Sequence, residues 1–525
     1  MSAVSSWKRV PLRCAVALAL GSFASMSANP ATAFASAVDV GIGPPGAVAT
    51  DARGNVYFSS PNLVLKLDSA GRLTRVAGNG TPGYSGDGGL AANALLNNMP
   101  FDSYPEEARD PIDFSALIGG LAVDTSGNLY ISDAYNNRVR KISPGGIITT
   151  MAGSGGFYGF GGDPGDGGQA TQAQISWPQG VAVDGTDTVY VASVYGMVRK
   201  ITPDGLISSL TYPNCGPGYL GPGVCVPEGI ALSSDGAVYV ADGYCRVRKI
   251  GRDGTTITVA GDDTDPDGHG FAFTCGHTRD TGPATKAALA WPYGVAVDKN
   301  GNLVIADTSN HCIRTVDAAG NIATVAGTCG VPGFSGDGGI ATNALLDKPY
   351  SVAADSSGNL FIADTFNQRI RRVAADGTIT TVVGNGGAIS LDLPVESIAI
   401  GPGFTGSWYD PAQSGHGLFV EVLSDNRLYA AWFAFDPAGT QQAWFSGVGT
   451  YSGNTATITD VQQPTGGRWI PNFDPNSIVR IPWGTLSFTF TDCNHGQVEF
   501  TSVAGYGTGS MTLARLTQPA GVTCP

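Results

Sequence analysis

Charged residues are scarce in this sequence, because Asp, Glu, Lys and Arg make up only 14% of it. Most proteins carry about a quarter of such residues. The charge that is present is acidic, with 43 Asp and Glu against 29 Lys and Arg and a formal net charge of −14. No cluster of Lys or Arg stands out along the chain. The composition therefore argues against nucleic acid and against anionic membrane surfaces as partners.

Familiar catalytic motifs are absent as well. The chain contains no G-x-S-x-G nucleophile elbow, no H-E-x-x-H zinc motif and no Walker phosphate loop. Histidine is rare, and the five residues are His269, His277, His311, His416 and His495. We therefore predict no catalytic residue from the sequence, and no cofactor other than the calcium ion considered below.

Long apolar runs are missing after the N-terminus, so the sequence predicts a soluble mature chain without a membrane-spanning segment. The N-terminus itself has three basic residues within its first 13 positions, followed by an apolar stretch from Cys14 to Met26 and then by small residues. This order is typical of a secretory signal peptide, which we assign to residues 1–37, with cleavage after Ala37 or after Ala28. A short membrane anchor is the alternative, although the stretch is shorter than a spanning helix needs.

The pattern Cys-x-x-Cys does not occur, which argues against a metal site built from cysteine pairs. Nine cysteines are present, and Cys14 lies in the predicted signal peptide, so an even number remains for an oxidising compartment. Local spacing favours four disulfides, although spacing does not decide the connectivity. The candidate pairs are Cys215–Cys225, Cys245–Cys275, Cys312–Cys329 and Cys493–Cys524.

Glycine, in contrast, is abundant, with 75 residues, and short apolar runs recur between turn residues. One stretch, "GNLFIADTFNQRIRRVAADGTITTVVG" from Gly358, has near-copies that start at Gly127 and Gly301. Alignment gives six units, and each predicts four antiparallel strands joined by Gly-Asn or Asp-Gly turns that supply positive φ. Such repetition is typical of an all-β fold, a six-bladed β-propeller over residues 38–400.

The repeated pattern resembles the NHL-repeat family. The motif P-x-G-V-A-V-D, then G-N-L-Y-V-A-D, then N-x-R-I-R-K matches well at Pro292–Val316 and Pro349–Val373, and also at Gly120–Ile142. The resemblance covers roughly residues 40–400 and implies a propeller. It departs in the first unit, where Leu65 replaces an arginine, and in the third, where "ASVYGMVRK" lacks the aspartate.

A second motif lies between most of the units. Copies are "GYSGDGGLAANALL" from Gly83, "GDPGDGGQATQAQIS" from Gly162, "TGPATKAALAWP" from Thr281 and "GFSGDGGIATNALLDKP" from Gly333. Each predicts a Gly-rich turn followed by a short helical turn of Ala and Leu that a proline stops. The lengthened units resemble NHL propellers of bacterial secreted proteins and of teneurin-type adhesion proteins. After the last unit, Leu393–Ile400 predicts a strand that closes the ring, with help from Val38–Ile42.

Charged residues recur with the units. Aspartates end the second strand and arginines lie in the third, and we interpret them as ion pairs within blades rather than as a charged ring for a ligand. These residues are Asp133, Asp242, Asp307 and Asp364, with Arg140, Arg199, Arg248, Arg314 and Arg371. A second set ends the first strands: Asp51, Asp124, Asp184, Asp298 and Asp355. We interpret this set as turn caps, and the alternative is a central metal site like that of sugar-lactonase propellers.

The composition changes after residue 400, and five of the eight tryptophans follow it. About eight strand-like stretches separated by polar turns predict a small antiparallel β-barrel or sandwich over residues 401–525. Its opening, "GSWYDPAQSGHGLFVEVL", resembles a C-terminal module of exported proteins of Gram-negative bacteria. Its aromatic residues either fill the core or line a ligand cup, and we favour the core.

One motif occurs a single time. The stretch "DDTDPDGHG" places Asp263, Asp265 and Asp267 at alternate positions before Gly268, an arrangement that can wrap a calcium ion. The bidentate glutamate expected further along is Thr274, so we expect weak affinity. A solvated acidic turn is the alternative.

The sequence as a whole predicts a secreted or periplasmic protein. We expect a non-catalytic scaffold that binds a protein or a glycan on the rigid face of the propeller. A metal-dependent propeller enzyme of the lyase or lactonase type is one alternative, and a structural adhesion module is another.

Overall fold

The structure is a computed structural model, and it describes residues 37–98, 119–156, 165–193, 197–211, 224–262, 275–277, 281–391, 393–395, 400–412, 416–435, 438–439, 441–466, 478–490 and 494–517. Within these residues, the strands form six four-stranded sheets and one closed barrel of eight strands. The helical elements described there are short 3₁₀ turns. The prediction of an all-β chain with a six-bladed propeller is confirmed.

Each blade consists of four antiparallel strands that pair in chain order. Blades 1 to 3 contain β1 Val48–Thr50, β2 Val56–Ser60, β3 Leu63–Leu67, β4 Leu73–Ala77; β5 Leu121–Val123, β6 Leu129–Asp133, β7 Arg138–Ile142, β8 Ile148–Ala152; and β9 Pro178–Val183, β10 Val189–Ser193, β11 Met197–Ile201, β12 Ile207–Ser209. Blades 4 to 6 contain β13 Pro227–Leu232, β14 Val238–Asp242, β15 Arg246–Ile250, β16 Thr256–Ala260; β17 Pro292–Val297, β18 Leu303–Asp307, β19 Cys312–Val316, β20 Ile322–Ala326; and β21 Pro349–Ala354, β22 Leu360–Asp364, β23 Arg369–Val373, β24 Ile379–Val383.

The propeller core is divided among the gaps between blades. Among the described residues, six of the hydrophobic clusters each fill the space between two successive blades. Between blades 6 and 1, for example, Phe58 and Leu65 pack in the same cluster as Phe361 and Val382. A single four-stranded sheet cannot bury both of its faces, so each blade depends on its two neighbours for stability.

Contacts between blade 6 and blade 1 close the ring. The Thr365 hydroxyl donates to the Pro45 carbonyl at 2.8 Å, and the Thr50 hydroxyl donates to the Ala354 carbonyl at 3.0 Å. The N-terminal segment adds a parallel bridge between Val38 and Val383 on the outer strand of blade 6. The first blade is therefore fastened to the last by both the inner strands and the chain that precedes them.

The predicted closing strand at Leu393–Ile400 contributes less than expected. Val395 forms an isolated parallel bridge with Arg75 on the outer strand of blade 1. Ile400, expected at the end of that strand, is instead buried in the core of the C-terminal barrel. Residues 396–399 lie outside the described part of the chain.

The second motif forms a short turn between blades, as predicted. The four 3₁₀ turns are Ala91–Asn93, Ala170–Gln172, Ala284–Lys286 and Ala341–Asn343. In each, the first alanine bonds to both flanking blades through its backbone: the Ala341 N–H donates to the Gly377 carbonyl and its carbonyl accepts from Gly327, both at 2.9 Å. The inserted turns therefore fasten neighbouring blades together.

Two of the predicted disulfides are present, Cys245–Cys275 and Cys312–Cys329. Both lie beside the turn into the third strand, in blades 4 and 5 respectively. Cys225 is also disulfide-bonded, and its predicted partner Cys215 lies outside the described residues. The predicted pair Cys493–Cys524 lies outside them as well.

The C-terminal unit is a closed barrel, which decides between the barrel and the sandwich that the sequence left open. A 3₁₀ turn, Pro402–Phe404, precedes it. Its strands are β25 Gly406–Tyr409, β26 Gly417–Leu423, β27 Arg427–Phe435, β28 Gln442–Ser452, β29 Thr455–Gly466, β30 Ile478–Phe490, β31 His495–Ser502 and β32 Thr508–Arg515. Pairing of β25 with β32 closes the barrel, so no strand edge is left open.

Aromatic side chains fill the barrel interior. Trp408, Trp432 and Trp483 are buried, and the Trp432 and Trp483 rings lie 5.6 Å apart in an edge-to-face arrangement. Trp444 is exposed on the outer surface, and Trp469 lies outside the described residues. The described tryptophans therefore serve mainly as core. In the chain as described, no helix has the length and apolar character needed to cross a membrane.

Candidate binding site at the channel mouth

The repeated aspartates and arginines form buried ion pairs inside the blades. The carboxylates of Asp133, Asp307 and Asp364 lie 3.1, 3.5 and 3.2 Å from the guanidinium groups of their arginines. The partners, in the same order, are Arg140, Arg314 and Arg371. This confirms the interpretation as ion pairs within blades. Because the members of each pair satisfy one another, the pairs are not available to hold a ligand.

In blades 2 and 6 two further groups complete the pair, and sequence reasoning did not identify them. In blade 6, the Asn367 amide donates to the Asp364 carboxylate at 2.9 Å and to the Gly333 carbonyl of the inserted segment at 2.8 Å. Arg371 also pairs with Asp337 of the same insert at 2.8 Å. Blade 2 repeats the arrangement with Asp87, which lies 2.7 Å from the guanidinium of Arg140. The sequence signal that could have identified these aspartates is the repeated "GDGG" of the inserts.

Burial affects the acidity of these aspartates. It raises the pKa of Asp307 and of Asp364 to about 6, although the backbone amides, Asn side chains and arginines around them oppose that shift. A value near 6 leaves both carboxyl groups ionised at neutral pH, as the pairing with arginine requires.

Blades 3 and 4 depart from the pattern. In blade 4 the partner of Asp242 is Arg246, at 3.0 Å, whereas the predicted partner Arg248 donates to the Thr258 hydroxyl. The turn is one residue shorter there, which removes the asparagine and moves Arg246 within reach. In blade 3, Ser193 stands in the aspartate position, and Arg199 pairs with Asp166 of the insert at 2.8 Å.

The aspartates at the ends of the first strands cap their own turns. Asp124, for example, accepts from the Asn128 amide N–H at 2.8 Å and from the Tyr130 hydroxyl at 3.0 Å. Burial and this carboxylate raise the pKa of Tyr130. The remaining members accept the corresponding backbone N–H in the same way: Asp51, Asp184, Asp298 and Asp355. The structure therefore supports the interpretation as turn caps.

The six first strands surround a central cavity of about 60 Å³. Glycines allow the strands to approach one another closely here. A Cβ added at Gly120 would lie 2.4 Å from the Gln179 carbonyl oxygen, and one added at Gly229 would lie 2.3 Å from that of Tyr293. The inner ring is therefore narrow, and only side chains at its rim can form a site.

One repeated position identifies the candidate functional face: the residue that precedes the glycine in the first strand of each blade. It is the x of the P-x-G motif, and in blades 1 to 6 it is Gly46, Gly119, Gln179, Glu228, Tyr293 and Tyr350. The last four side chains line the central cavity. We call this set, Gln179, Glu228, Tyr293 and Tyr350, the channel mouth. Its lining is asymmetric, with a bare side at the glycines, a polar side and an aromatic side.

Aromatic rings extend the channel mouth outward. The Tyr293 and Tyr350 rings lie 4.7 Å apart, and Phe366, which is partly exposed, stacks on Tyr350 at 6.5 Å. The polar side contains Gln179 and Glu228, which are 5% and 6% exposed. Burial, and then the neighbouring charge of Asp242, raises the pKa of Glu228 to about 8. At neutral pH this carboxyl group is therefore mostly protonated when the site is empty.

The candidate metal ligands do not gather in the described part of the chain. No group of three or more His, Cys, Asp and Glu residues is placed there to hold a metal ion. Asp263, Asp265 and Asp267 lie outside the described residues, as does His269, so the calcium site stays a prediction. Among the described histidines, His311 lies 3.1 Å from Asp347 and accepts from the Lys348 amide at 3.1 Å, which identifies it as structural.

Comparison with known proteins identifies the repeats. The family model for the NHL repeat matches residues 117–142 and 289–315. Human teneurin-1 is 28% identical over 344 residues, which cover 62% of this chain and 10% of teneurin-1. The chain therefore spans about a tenth of the length of that relative. The six-bladed propeller of this chain therefore contains two segments that match the NHL repeat. Over a longer span, it is similar to a part of teneurin-1.

Solved structures with a similar fold include two from Bacteroides thetaiotaomicron. One is a structural genomics protein of unknown function, 20% identical, with a TM-score of 0.43 and coverage of 63% of this chain and 69% of that chain. The other is described as an auxiliary nutrient binding protein and is 14% identical. Its TM-score is 0.42, and the match covers 65% of this chain and 70% of that chain.

Proposed function

We propose that the protein is an exported, non-catalytic binding protein whose propeller holds a protein or glycan ligand over the channel mouth. The observation that carries the proposal is the asymmetric lining of the central cavity. Gln179 and Glu228 supply hydrogen-bonding groups on one side, and Tyr293 and Tyr350 supply aromatic faces on the other. Concave sites that combine apolar walls with a few converging polar groups are typical ligand sites.

The repetition of the fold supports this choice of residues. Groups that stabilise a blade recur from blade to blade, as the Asp–Arg pairs do in blades 2, 5 and 6. The channel-mouth position varies instead, from glycine to glutamine, glutamate and tyrosine. Five of the six equivalent positions line one cavity, so their variation builds one site and not repeated copies of a structural contact.

The cavity also limits what enters it. Its volume is about 60 Å³, well below that of a typical small-molecule pocket. A whole substrate does not fit, whereas the tip of a larger ligand does. The ligand body would then rest on the surface around the mouth, where Phe366 is partly exposed.

Export is part of the proposal. Disulfides are typical of secreted and periplasmic proteins, and Cys245–Cys275 and Cys312–Cys329 both fit such a compartment. The predicted signal peptide, residues 1–37, lies almost wholly outside the described residues. We further propose that the barrel is the C-terminal module of exported Gram-negative proteins whose opening motif it resembles. N-terminal sequencing of secreted material tests the export, and a chain that still begins at Met1 would contradict it.

Binding at the channel mouth is testable by capture and by a glycan array. The purified protein, immobilised, is exposed to envelope extract and to a glycan panel, and bound ligand is quantified. We expect Tyr293→Ala to reduce capture at least about tenfold. The matched control is Ile257→Ala, which removes a side chain that is 56% exposed on the outer strand of blade 4. Equal capture by the two variants would refute the channel mouth as the binding face.

The alternative of a metal-dependent lyase or lactonase is tested separately. Such an enzyme would contain a stoichiometric metal ion after purification without chelator. Elemental analysis of the purified protein measures this directly. A bound transition metal at one equivalent would favour the enzyme over the scaffold.

A further inference from the structure

Glu228 differs from the other buried charged groups of the protein. Each of the others that the structure describes as buried has a hydrogen-bond or ion-pair partner, as Arg140, Asp242 and Arg371 do. Glu228 is 94% buried, and no hydrogen bond or ion pair to its carboxyl group is present among the described residues. A buried acid without a partner costs free energy, so a ligand that supplied the missing partner would be favoured.

The surroundings of Glu228 determine which partner fits. The charge of Asp242 in the same blade acts on Glu228, and Asp242 is itself paired with Arg246 at 3.0 Å. Burial, and then the charge of Asp242, also raises the pKa of Tyr244 in the same blade. From the adjacent blades, Gln179 and Tyr293 line the same cavity, and Tyr350 lies beyond Tyr293. An acid faced by aromatic rings and an amide favours a cation, because tyrosine faces attract positive charge and the amide oxygen accepts a hydrogen bond.

Other ligand groups fit less well. A carboxylate or phosphate would gain one hydrogen bond from the protonated Glu228, whereas a cation gains an ion pair once the proton leaves. A calcium ion needs six to eight oxygen ligands, which is more than the side chains of the channel mouth provide. A guanidinium group is broad and planar, whereas a cavity of about 60 Å³ admits a compact group. A primary ammonium group is compact and has three hydrogen-bond donors.

We propose that the channel mouth binds a primary ammonium group of the ligand, with Glu228 as counter-ion, Gln179 as hydrogen-bond acceptor, and Tyr293 and Tyr350 as the aromatic wall. The inference rests on the proposed function, since it names the group that enters the binding face. Two sources present this chemistry on a surface, a lysine side chain of a protein and an amino sugar of a glycan.

Binding of such a group is coupled to proton release. In the empty site the pKa of Glu228 is raised to about 8 by burial and by Asp242. An ammonium group beside the carboxyl stabilises its ionised form, because opposite charges at short distance lower the pKa of an acid. At pH 7 the incoming cation therefore displaces a proton, which makes the association stronger as the pH rises from 6 to 8.

Isothermal titration calorimetry of the full protein tests the inference. The probes are Nα-acetyl-lysine methylamide and glucosamine, and their neutral counterparts are Nα-acetyl-norleucine methylamide and N-acetylglucosamine. Titration at pH 7 in two buffers of different ionisation enthalpy counts the protons released. We expect the amines to bind, the neutral counterparts to bind at least about tenfold more weakly, and about 0.9 proton to be released for each lysine probe bound.

Variants separate this inference from the proposed function. Glu228→Gln keeps the shape of the side chain, and we expect it to abolish proton release and to weaken amine binding at least about tenfold. Ile257→Ala is the control and should bind as the unmodified protein does.

Equal amine affinity of Glu228→Gln and the unmodified protein would overturn the ammonium site. So would a ligand from the capture experiment that needs Tyr293 but is insensitive to Glu228→Gln, and that result would leave the proposed function standing. A stronger response to glucosamine than to the lysine probe assigns the ligand to the glycans, and the reverse assigns it to the proteins.

Discussion

At the scale of single residues, buried charge in this propeller occurs in two forms. The repeated form is satisfied: Asp364, for example, accepts from the Asp347 amide, from Asn367 and from Arg371. The other form is Glu228, which has no such partner and lines the cavity. In the first form, the partners offset part of the cost of burying the ionised carboxyl group. In the second form, no described partner offsets that cost when the carboxyl group ionises.

The first prediction concerns the pH dependence of stability at Glu228. Its pKa is raised from an ordinary 4.5 to about 8 in the folded protein. Between these values the native state retains a proton that the unfolded state has lost, so stability falls as the pH rises through this window. We expect Glu228→Gln to remove this decrease in the free energy of unfolding, which amounts to at most about 5 kcal/mol by pH 8.

Urea denaturation at pH 4, 6 and 8 measures this effect. The control is Glu421→Gln in the barrel, which changes an exposed glutamate and should leave the pH profile unaltered. A profile of Glu228→Gln that runs parallel to that of the unmodified protein would contradict the prediction.

The second prediction concerns the buried pair of blade 6. Arg371→Met leaves Asp364 buried without its cation, and we expect a loss of roughly 3–5 kcal/mol in the free energy of unfolding. Blade 1 provides the matched control, because Ser60 and Leu65 occupy the two equivalent positions there. The double variant Asp364→Ser, Arg371→Leu copies blade 1 and should be more stable than Arg371→Met. If the double variant is the less stable of the two, the argument from unpaired charge is wrong.

Residue patterns in the sequence predicted the buried Asp–Arg pairs but did not predict the channel mouth. One physical reason explains both outcomes. A contact that repeats, such as Asp364 with Arg371, is visible as a motif because each blade needs it. The channel mouth is a single site assembled from six blades, so Glu228 follows a proline in "VPEG" without any local motif. Only an alignment of the x positions of all six units would have brought Gln179, Glu228, Tyr293 and Tyr350 together.

At the scale of elements, the inserted 3₁₀ turns explain why the repeats are longer than an ordinary blade requires. Each turn bonds to the outer strand before it and to the hairpin after it, as Ala170 does with Gly153 and Gly205. Before blades 2, 3 and 6, the Gly-rich stretch of the insert also supplies an aspartate to the buried arginine of the next blade. Aromatic rings of the inserts cover that arginine, and the Phe334 ring lies 4.9 Å from the guanidinium carbon of Arg371.

The third prediction tests this fastening. Ala341→Pro removes the N–H that donates to the Gly377 carbonyl and keeps the turn, since Ile340 already has an extended conformation that tolerates a following proline. We expect a loss of about 1 kcal/mol. Thr342→Ala alters the neighbouring exposed side chain and serves as the control.

Thermal denaturation of both variants provides the comparison, with amide exchange at Gly327 as a second readout. Faster exchange at Gly327 in Ala341→Pro would confirm that the turn fastens the preceding blade. Unchanged melting and unchanged exchange would show that the inserted turns contribute nothing to stability.

The sequence predicted these elements unevenly. Asp-Gly and Gly-Asn turns carry strong local signals, so hairpins, blades and 3₁₀ turns were all predictable. The ring closure was predictable only in part. The predicted contribution of Val38–Ile42 is confirmed by the bridge between Val38 and Val383. Leu393–Ile400 has the composition of a strand, but composition does not reveal the partner. In the structure, Val395 contacts blade 1 and Ile400 packs in the barrel.

At the scale of the whole molecule, stability depends on closing the ring, since six blades stacked without closure would leave two faces exposed. Ile42 is fully buried in the cluster between blades 6 and 1, with Val38 and Val40 packed against it. The Val38 amide donates to the Val382 carbonyl at 3.0 Å. The residues that follow the predicted cleavage site are therefore part of the closed ring.

The fourth prediction follows from this placement. A chain that starts at Val38 keeps the ring contacts that the structure describes for the N-terminal segment, so it should melt as one that starts at Asn29 does. A chain that starts at Gly43 loses the buried Ile42 and the bridge to Val383, and we expect it to be roughly 3–5 kcal/mol less stable.

Calorimetry of the three chains measures the difference, and near-ultraviolet circular dichroism reports whether the barrel tryptophans keep their packing. If removal of residues 38–42 leaves the melting temperature unchanged, the inner strands and the Thr365–Pro45 contact close the ring without the N-terminal segment.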